Sequence, residues 1–121
     1  MEKKLIYVPY LEGSDIVSAK KINPNILQGK SAVIMLQGDF CGYCTMAKPE
    51  FQSFFNDMKD KIFIGTIQID GGSSDKEANQ KLQIPTQGVP AYLGFDKNGN
   101  FVKIHEGKRD SSSLKQFAMS L

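Results

Sequence analysis

Asp39-Phe40-Cys41-Gly42-Tyr43-Cys44 decides how the rest of the chain is read, and it holds both cysteines of the 121-residue sequence. Just upstream lies Ser31-Ala32-Val33-Ile34-Met35-Leu36, an apolar stretch of strand length. Just downstream, Cys44, Ala47, Phe51, Phe54, Phe55 and Met58 recur at steps of three and four, the period of a helix with one apolar face. A strand, a Gly-containing turn and a helix put Cys41 at a helix N-terminus, where unpaired N–H groups and the helix dipole favour a negative charge. The thiolate is the nucleophilic form of cysteine, so this position suits an attacking sulfur. Cys44 falls one turn further in, on the apolar stripe. One accessible sulfur and one sheltered sulfur at this spacing can close into a disulfide and reopen, which is the behaviour of a redox switch.

Size and composition narrow the alternatives. A chain of 13.4 kDa is expected to form a single domain over residues 1–121, with a real hydrophobic core. Hydrophobic residues at 40% and charged residues at 23% are ordinary for a globular protein. A net charge of +2 gives no electrostatic footprint for nucleic acid or an anionic membrane, so neither is expected as a partner. No apolar run approaches the roughly 18 residues that span a bilayer. The opening Met-Glu-Lys-Lys-Leu-Ile-Tyr-Val-Pro-Tyr offers too short an apolar stretch before Pro9 for a signal peptide. A reducing, cytoplasmic setting is the resulting expectation, and two cysteines fall short of the multi-bridge framework of a small secreted domain. The same two cysteines could instead be inert buried thiols or half of a metal site. A four-ligand zinc site would need two more ligands, and His105 is the sole histidine, on a predicted strand far along the chain. No metal and no cofactor is expected.

Along the chain, Lys4 to Val8 reads as a first strand ended by Pro9. Ser14 or Asp15 then caps a helix through Ile16, Val17 and Ala19 that stops near Asn23-Pro24. Residues 31–37 form the second strand, whose unbroken apolar character suits burial on both faces. The long helix from 41 to 59 carries Pro49 and is expected to kink there. A third strand covers Ile62 to Asp70, and Ser74-Asp75-Lys76-Glu77 fits a capping box opening a short helix through Ala78 and Leu82. Ala91–Phe95 and Phe101–His105 flank Asp96-Lys97-Asn98-Gly99-Asn100, a β-hairpin with Asn-Gly in the turn. A final helix presents Leu114, Phe117, Ala118 and Leu121 on one face. The predicted order is β-α-β-α-β-α-β-β-α.

From about Ala32 to Leu121 the residues resemble the thioredoxin family. Cys41-Gly42-Tyr43-Cys44 is similar to the family's Cys-Gly-Pro-Cys, and Pro49 stands five residues after the second cysteine, where the family has its helix-kinking proline. Gly88-Val89-Pro90 resembles the segment with the family's cis-proline, Lys97-Asn98-Gly99 its hairpin turn, and Leu114-Lys115-Gln116-Phe117 its last helix. Gly107 stands where the family keeps a glycine beside the active site. The resemblance implies an α/β fold, the three-layer α/β/α sandwich with a mixed central sheet. There are departures. Met35 occupies the position of the family's buried Asp, Thr66 that of its Lys partner, and Phe40 that of the Trp before the first cysteine.

The resemblance further implies a thiol–disulfide oxidoreductase acting on protein disulfides. Cys41 would be the nucleophile and Cys44 the resolving thiol. Gly42, Tyr43, Val89, Pro90 and Gly107 would bind substrate, Val89 by pairing with an extended segment. A reductase or a low-molecular-weight thiol would donate electrons, and the chain is expected to act as a monomer. Two other readings stay open, a glutaredoxin-like reductase using glutathione and a non-catalytic module that keeps the fold as a scaffold. With Met35 and Thr66 in place of the charged pair, resolution by Cys44 is expected to be less assisted than in a typical thioredoxin.

Overall fold

The computed structural model describes residues 5–121. Its elements are β1 (Ile16–Ser18), β2 (Lys21–Ile22), β3 (Ala32–Gln37), α1 (Gly42–Met58), β4 (Phe63–Gln68), α2 (Ser73–Leu82), β5 (Ala91–Phe95), β6 (Phe101–Ile104) and α3 (Ser111–Met119). The main sheet has the order β4-β3-β5-β6, with β3 parallel to β4 and antiparallel to β5. All six residues of β3 are buried, because helices and loops cover both faces of the sheet. Val33 and Met35 point into one core, with Phe51 and Phe54 of α1, Tyr92 of β5 and Leu114 and Phe117 of α3. Ala32, Ile34 and Leu36 point into the other, with Ala78 and Leu82 of α2 and with Ile16 and Ile22. The alternation of a strand is thus present but written entirely in apolar residues. Helices on both faces of a mixed sheet make the expected three-layer α/β/α sandwich.

The first fifty residues hold two differences from expectation. Residues 14–22 are not a helix. A 3₁₀ turn over Gly13–Asp15 leads into the antiparallel pair of β1 and β2, which makes the opening order β-β rather than β-α. Val17 is half exposed, so the apolar stripe a helix would need is missing, and Lys20 takes a left-handed φ of 61° at the reversal. The decisive reason is tertiary. The N–H of Lys20 donates to the carbonyl of Leu82 at 2.7 Å, and those of Ile22 and Phe101 donate to Gly99 and Lys20, both at 2.9 Å. The hairpin therefore caps the end of α2 and ties itself to the β5–β6 turn with groups that a helix would have consumed internally. Gly99 is required there twice over: its φ is +86°, and a Cβ would lie 2.1 Å from the carbonyl oxygen of Ile22.

The expected strand at residues 4–8 is also displaced. Lys4 lies outside the described residues, and Leu5 to Val8 form no strand. Pro9 has no N–H to give and Tyr7 has a φ of 64°, so pairing with β4 is made one step later. Tyr10 bridges Thr66 in parallel, with Thr66 donating to Pro9 at 2.9 Å and Leu11 to Thr66 at 2.8 Å. Elsewhere the differences are small. The capping interaction of α2 is made by Gly72, whose N–H donates to Asp75 at 2.9 Å, in place of Ser74 with Glu77. In the hairpin turn only Gly99 of the Asn-Gly pair has a positive φ, while Asp96 accepts the N–H groups of Asn98 and Asn100. α1 runs as one helical span through Pro49.

Candidate active site

β3 delivers the chain to Gly38, and the turn after it ends with Cys41 as the N-cap of α1. The Cys41 sulfur accepts the N–H of Cys44 at 3.2 Å and its thiol donates to the carbonyl of Val89 at 3.3 Å. Both cysteines are free thiols. Neither is openly exposed, against the expectation of one accessible sulfur, but the order is kept: Cys41 is 9% exposed and Cys44 0%. Burial, followed by the hydrogen bond to Cys41, pushes the Cys44 thiol up to about 12, against the Gly38 main-chain hydrogen bond and, more weakly, Lys48, which draw it the other way.

Opposite Cys41 stands the Val89–Pro90 peptide, which is cis. Gly88 precedes it with a φ of +123° and open space where a side chain would be. A groove of about 340 Å³ runs between the two segments, lined by Leu36, Phe40, Cys41, Gly42, Tyr43, Ile69, Asn79, Thr86, Gly88 and Val89. Its rim is apolar and exposed, Phe40 at 70% and Tyr43 at 69%. Gly107 is not part of this groove. It lines a neighbouring one of about 490 Å³ with Tyr43, Met46, Glu50, Lys108 and Arg109, so Tyr43 separates the two. Pro90 is buried. His105 lines neither groove; its Nε2 lies 2.7 Å from the carbonyl of Lys108 and its ring against Tyr92 and Phe117.

A polar cluster under the turn was missed by the reading of the sequence. Asp70, just past β4, accepts the N–H groups of Asp39 at 2.9 Å and Phe40 at 3.2 Å. Slight burial pushes its carboxyl up, but those N–H groups and the Gln68 amide outweigh that and hold it below the usual carboxylate range. The Gln68 amide donates to Asp39, and the Lys48 ammonium lies 3.7 Å from the same carboxylate. Lys48 is a buried lysine, 6% exposed. The signal was available: Lys48 is four residues after Cys44, within the apolar stripe of α1. Met35 and Thr66, by contrast, are fully buried register partners, and the Thr66 hydroxyl donates to the Met35 carbonyl at 2.7 Å. The position of the family's acid is therefore apolar. Two more buried polar groups, the Tyr92 hydroxyl and the Gln37 amide, have no hydrogen-bond partner among the described residues. Burial raises the Tyr92 phenol above its usual range. No group of three or more metal-ligating side chains occurs among the described residues.

The thioredoxin family profile matches residues 15–120, a stretch that includes the dithiol, the cis-proline and all nine elements. The chain belongs to the thioredoxin family. Among its relatives, the thioredoxin-like protein 453L of Invertebrate iridescent virus 6 is 30% identical over 114 residues, covering 84% of this chain and 78% of that protein. Protein disulfide-isomerase like 2-2 of Arabidopsis thaliana is 29% identical over 80 residues, 66% of this chain but only 17% of its own length. The chain thus spans a minor part of the isomerase relatives it matches. Among solved structures, human ERp44 form I superposes with a TM-score of 0.73 at 16% identity, over 98% of this chain and 30% of that one. Mitochondrial thioredoxin 3 of Saccharomyces cerevisiae, in its oxidised form, gives 0.60 at 17% identity over 90% and 98% of the two chains. No helix among the described residues is long and apolar enough to cross a membrane.

Proposed function

We propose that this thioredoxin-family chain is a thiol–disulfide oxidoreductase that works on protein disulfides, with Cys41 as nucleophile and Cys44 as resolving thiol. One observation carries the reading: the Cys41 sulfur sits at the helix N-terminus, takes the Cys44 N–H and faces the Val89 carbonyl across a groove with an apolar rim. Cys41 thiolate attacks one sulfur of a substrate disulfide, and the other leaves as a thiolate. The Cys44 thiolate then attacks the Cys41 sulfur, which forms the Cys41–Cys44 bridge and releases the second substrate thiolate. Leaving thiolates take up the protons the two cysteines lost. The N–H of Cys44 donates to the sulfur that carries the charge before the first attack.

Phe40 and Tyr43 offer an unfolded or extended substrate an apolar footing beside Cys41, and Val89 offers main-chain pairing. Gly42 leaves open space where a side chain would stand. Gly107 acts at the far side of Tyr43, as a wall of the second groove. Regeneration is by a reductase or a low-molecular-weight thiol, and a reducing, cytoplasmic setting and a monomeric state complete the reading. The test is insulin reduction driven by dithiothreitol, with the wild type and Cys41→Ser compared. Wild type should accelerate precipitation of the insulin B chain, and Cys41→Ser should match the uncatalysed rate. Equal rates for the two proteins would reduce the chain to a non-catalytic scaffold.

A further inference from the structure

The apolar position of Met35 leaves Cys44 without a carboxylate on β3, and the question is which group lowers the cost of making its thiolate. Four observations bear on Lys48. It stands one helical turn after Cys44 on α1, so the two side chains emerge on the same face. It is 6% exposed, which is rare for a lysine and costly unless the ammonium is compensated. The compensation is Asp39, at 3.7 Å, two residues before Cys41. Asp39 is in turn fixed by the Gln68 amide and, through its N–H, by Asp70. The turn that carries the nucleophile therefore also anchors a buried cation one helical turn from the resolving thiol.

We propose that Lys48, held by Asp39, is the positioning charge for the resolving step of this enzyme. It stabilises the thiolate of Cys44 as that sulfur attacks Cys41, the task for which the family position at Met35 supplies nothing. The proposal rests on the two-cysteine mechanism above. The step itself is unchanged: the Cys44–Cys41 bond forms, the Cys41–substrate bond breaks, and the electron pair leaves on the substrate sulfur. The proton of Cys44 passes to solvent and one returns to the substrate thiolate. Lys48 neither gives nor takes a proton. Its effect on Cys44 runs in the stabilising direction, against burial. Other groups face the thiol as well, first among them the Gly38 main chain, whose hydrogen bond lowers Cys44 by more than Lys48 does. Tyr92 of β5 is a buried neutral phenol, and Arg109, before α3, acts on Tyr92.

Its size follows from two opposing effects. An opposite charge nearby lowers a thiol by about one unit or more, which gives roughly tenfold more thiolate. A less basic thiolate is also a weaker nucleophile, with a sensitivity of about 0.4–0.5 per unit. The net gain is about three- to fourfold in resolution rate per unit.

Mixing the reduced protein with one equivalent of dithiodipyridine reads both steps in one trace. The first thiopyridone reports attack by Cys41, and the second reports its displacement by Cys44. Lys48→Met keeps the length and burial of the side chain and removes the charge; Lys48→Arg keeps the charge. The expected result is an unchanged first phase in both variants, a second phase slowed about three- to fourfold in Lys48→Met, and a rate restored toward wild type in Lys48→Arg. If Lys48→Met does not fold, Lys48→Gln serves in its place. Equal second phases in the neutral variant and wild type overturn the proposal, as does an arginine variant as slow as the neutral one. Absence of a second thiopyridone in the wild type would instead overturn the two-cysteine mechanism, so the two failures are separate.

Discussion

Alkaline pH should go on accelerating attack by Cys44 well past the range in which an ordinary thiol levels off. Cys44 is fully buried and its thiol is pushed up to about 12, with burial the largest cause. The sign is that of an acid whose charged form is disfavoured: below its pKa the thiolate fraction, and with it the rate, rises tenfold per pH unit. A group at about 12 is ionised to about one part in 10⁵ at pH 7 and one in 10³ at pH 9, a hundredfold rise. An ordinary thiol near 8.5 would already be about 3% ionised at pH 7 and would gain less than twofold between pH 9 and 10. In the mixed disulfide Cys41 no longer acts as a thiol, so its hydrogen-bond and charge contributions to Cys44 fall away, but burial stays. The rise should therefore persist at close to tenfold per unit through pH 9. The assay is the release of the second thiopyridone from a preformed dithiodipyridine adduct on Cys41, followed by stopped flow from pH 6 to pH 10. A second phase that levels off at or below pH 8.5 would refute the claim that Cys44 is sheltered in the working enzyme.

Two further substitutions probe the same site. Met35→Asp should raise the resolution rate at neutral pH by roughly a hundredfold, the low end for a positioned base, while it costs about 3 kcal/mol of stability because the site is fully buried. Stopped-flow resolution and urea unfolding read the two effects, and no gain in rate would mean that another group already serves as base. Asp70→Ala removes the acceptor of the Asp39 and Phe40 N–H groups and should lower Tm by roughly 2–4 °C. Since the folded carboxyl of Asp70 lies below its usual range, its contribution is present above about pH 4 and is lost on acidification. The difference in Tm between the two proteins should therefore shrink as pH falls below 4, and a gap that is constant from pH 3 to pH 7 would remove the carboxylate from the account.

What could be read from the sequence was what local pattern and spacing encode. β3 announced itself as an unbroken apolar run, α1 as a stripe of period 3.6, and the β5–β6 hairpin by Asp96 to Asn100. Residues 14–22 failed because their conformation is decided elsewhere. Lys20 and Ile22 form their main-chain bonds with Leu82 and Gly99, more than sixty residues away, and no local window holds that information. The Tyr10 bridge to Thr66 is another long-range choice, made where Pro9 and Tyr7 preclude an earlier one. At the site, the dithiol was legible and its support was not. Lys48 is a charged residue in an apolar stripe, and charge ordinarily marks the solvent side of a helix. Only the fold, by bringing Asp39 to 3.7 Å from it, gives that residue a reason to be inside.

In the proposed mechanism that arrangement separates the control of the two chemical steps. The first attack depends on the turn from Gly38 to Cys41, which Asp70 holds from the end of β4, and on the N–H of Cys44. The second depends on a thiol inside the core, on Met35 and Thr66, whose register leaves no charge beneath it, and on Lys48. Asp39 belongs to both sets, because its N–H is bound by Asp70 and its carboxylate faces Lys48. A change that loosens the turn should therefore weaken the nucleophile and its resolving partner together, whereas changes at Met35 or Lys48 should act on resolution alone. The proposed mechanism makes resolution the slower step at neutral pH, so the mixed disulfide should accumulate, with the lifetime of the bound substrate set inside the core and its capture set at the surface.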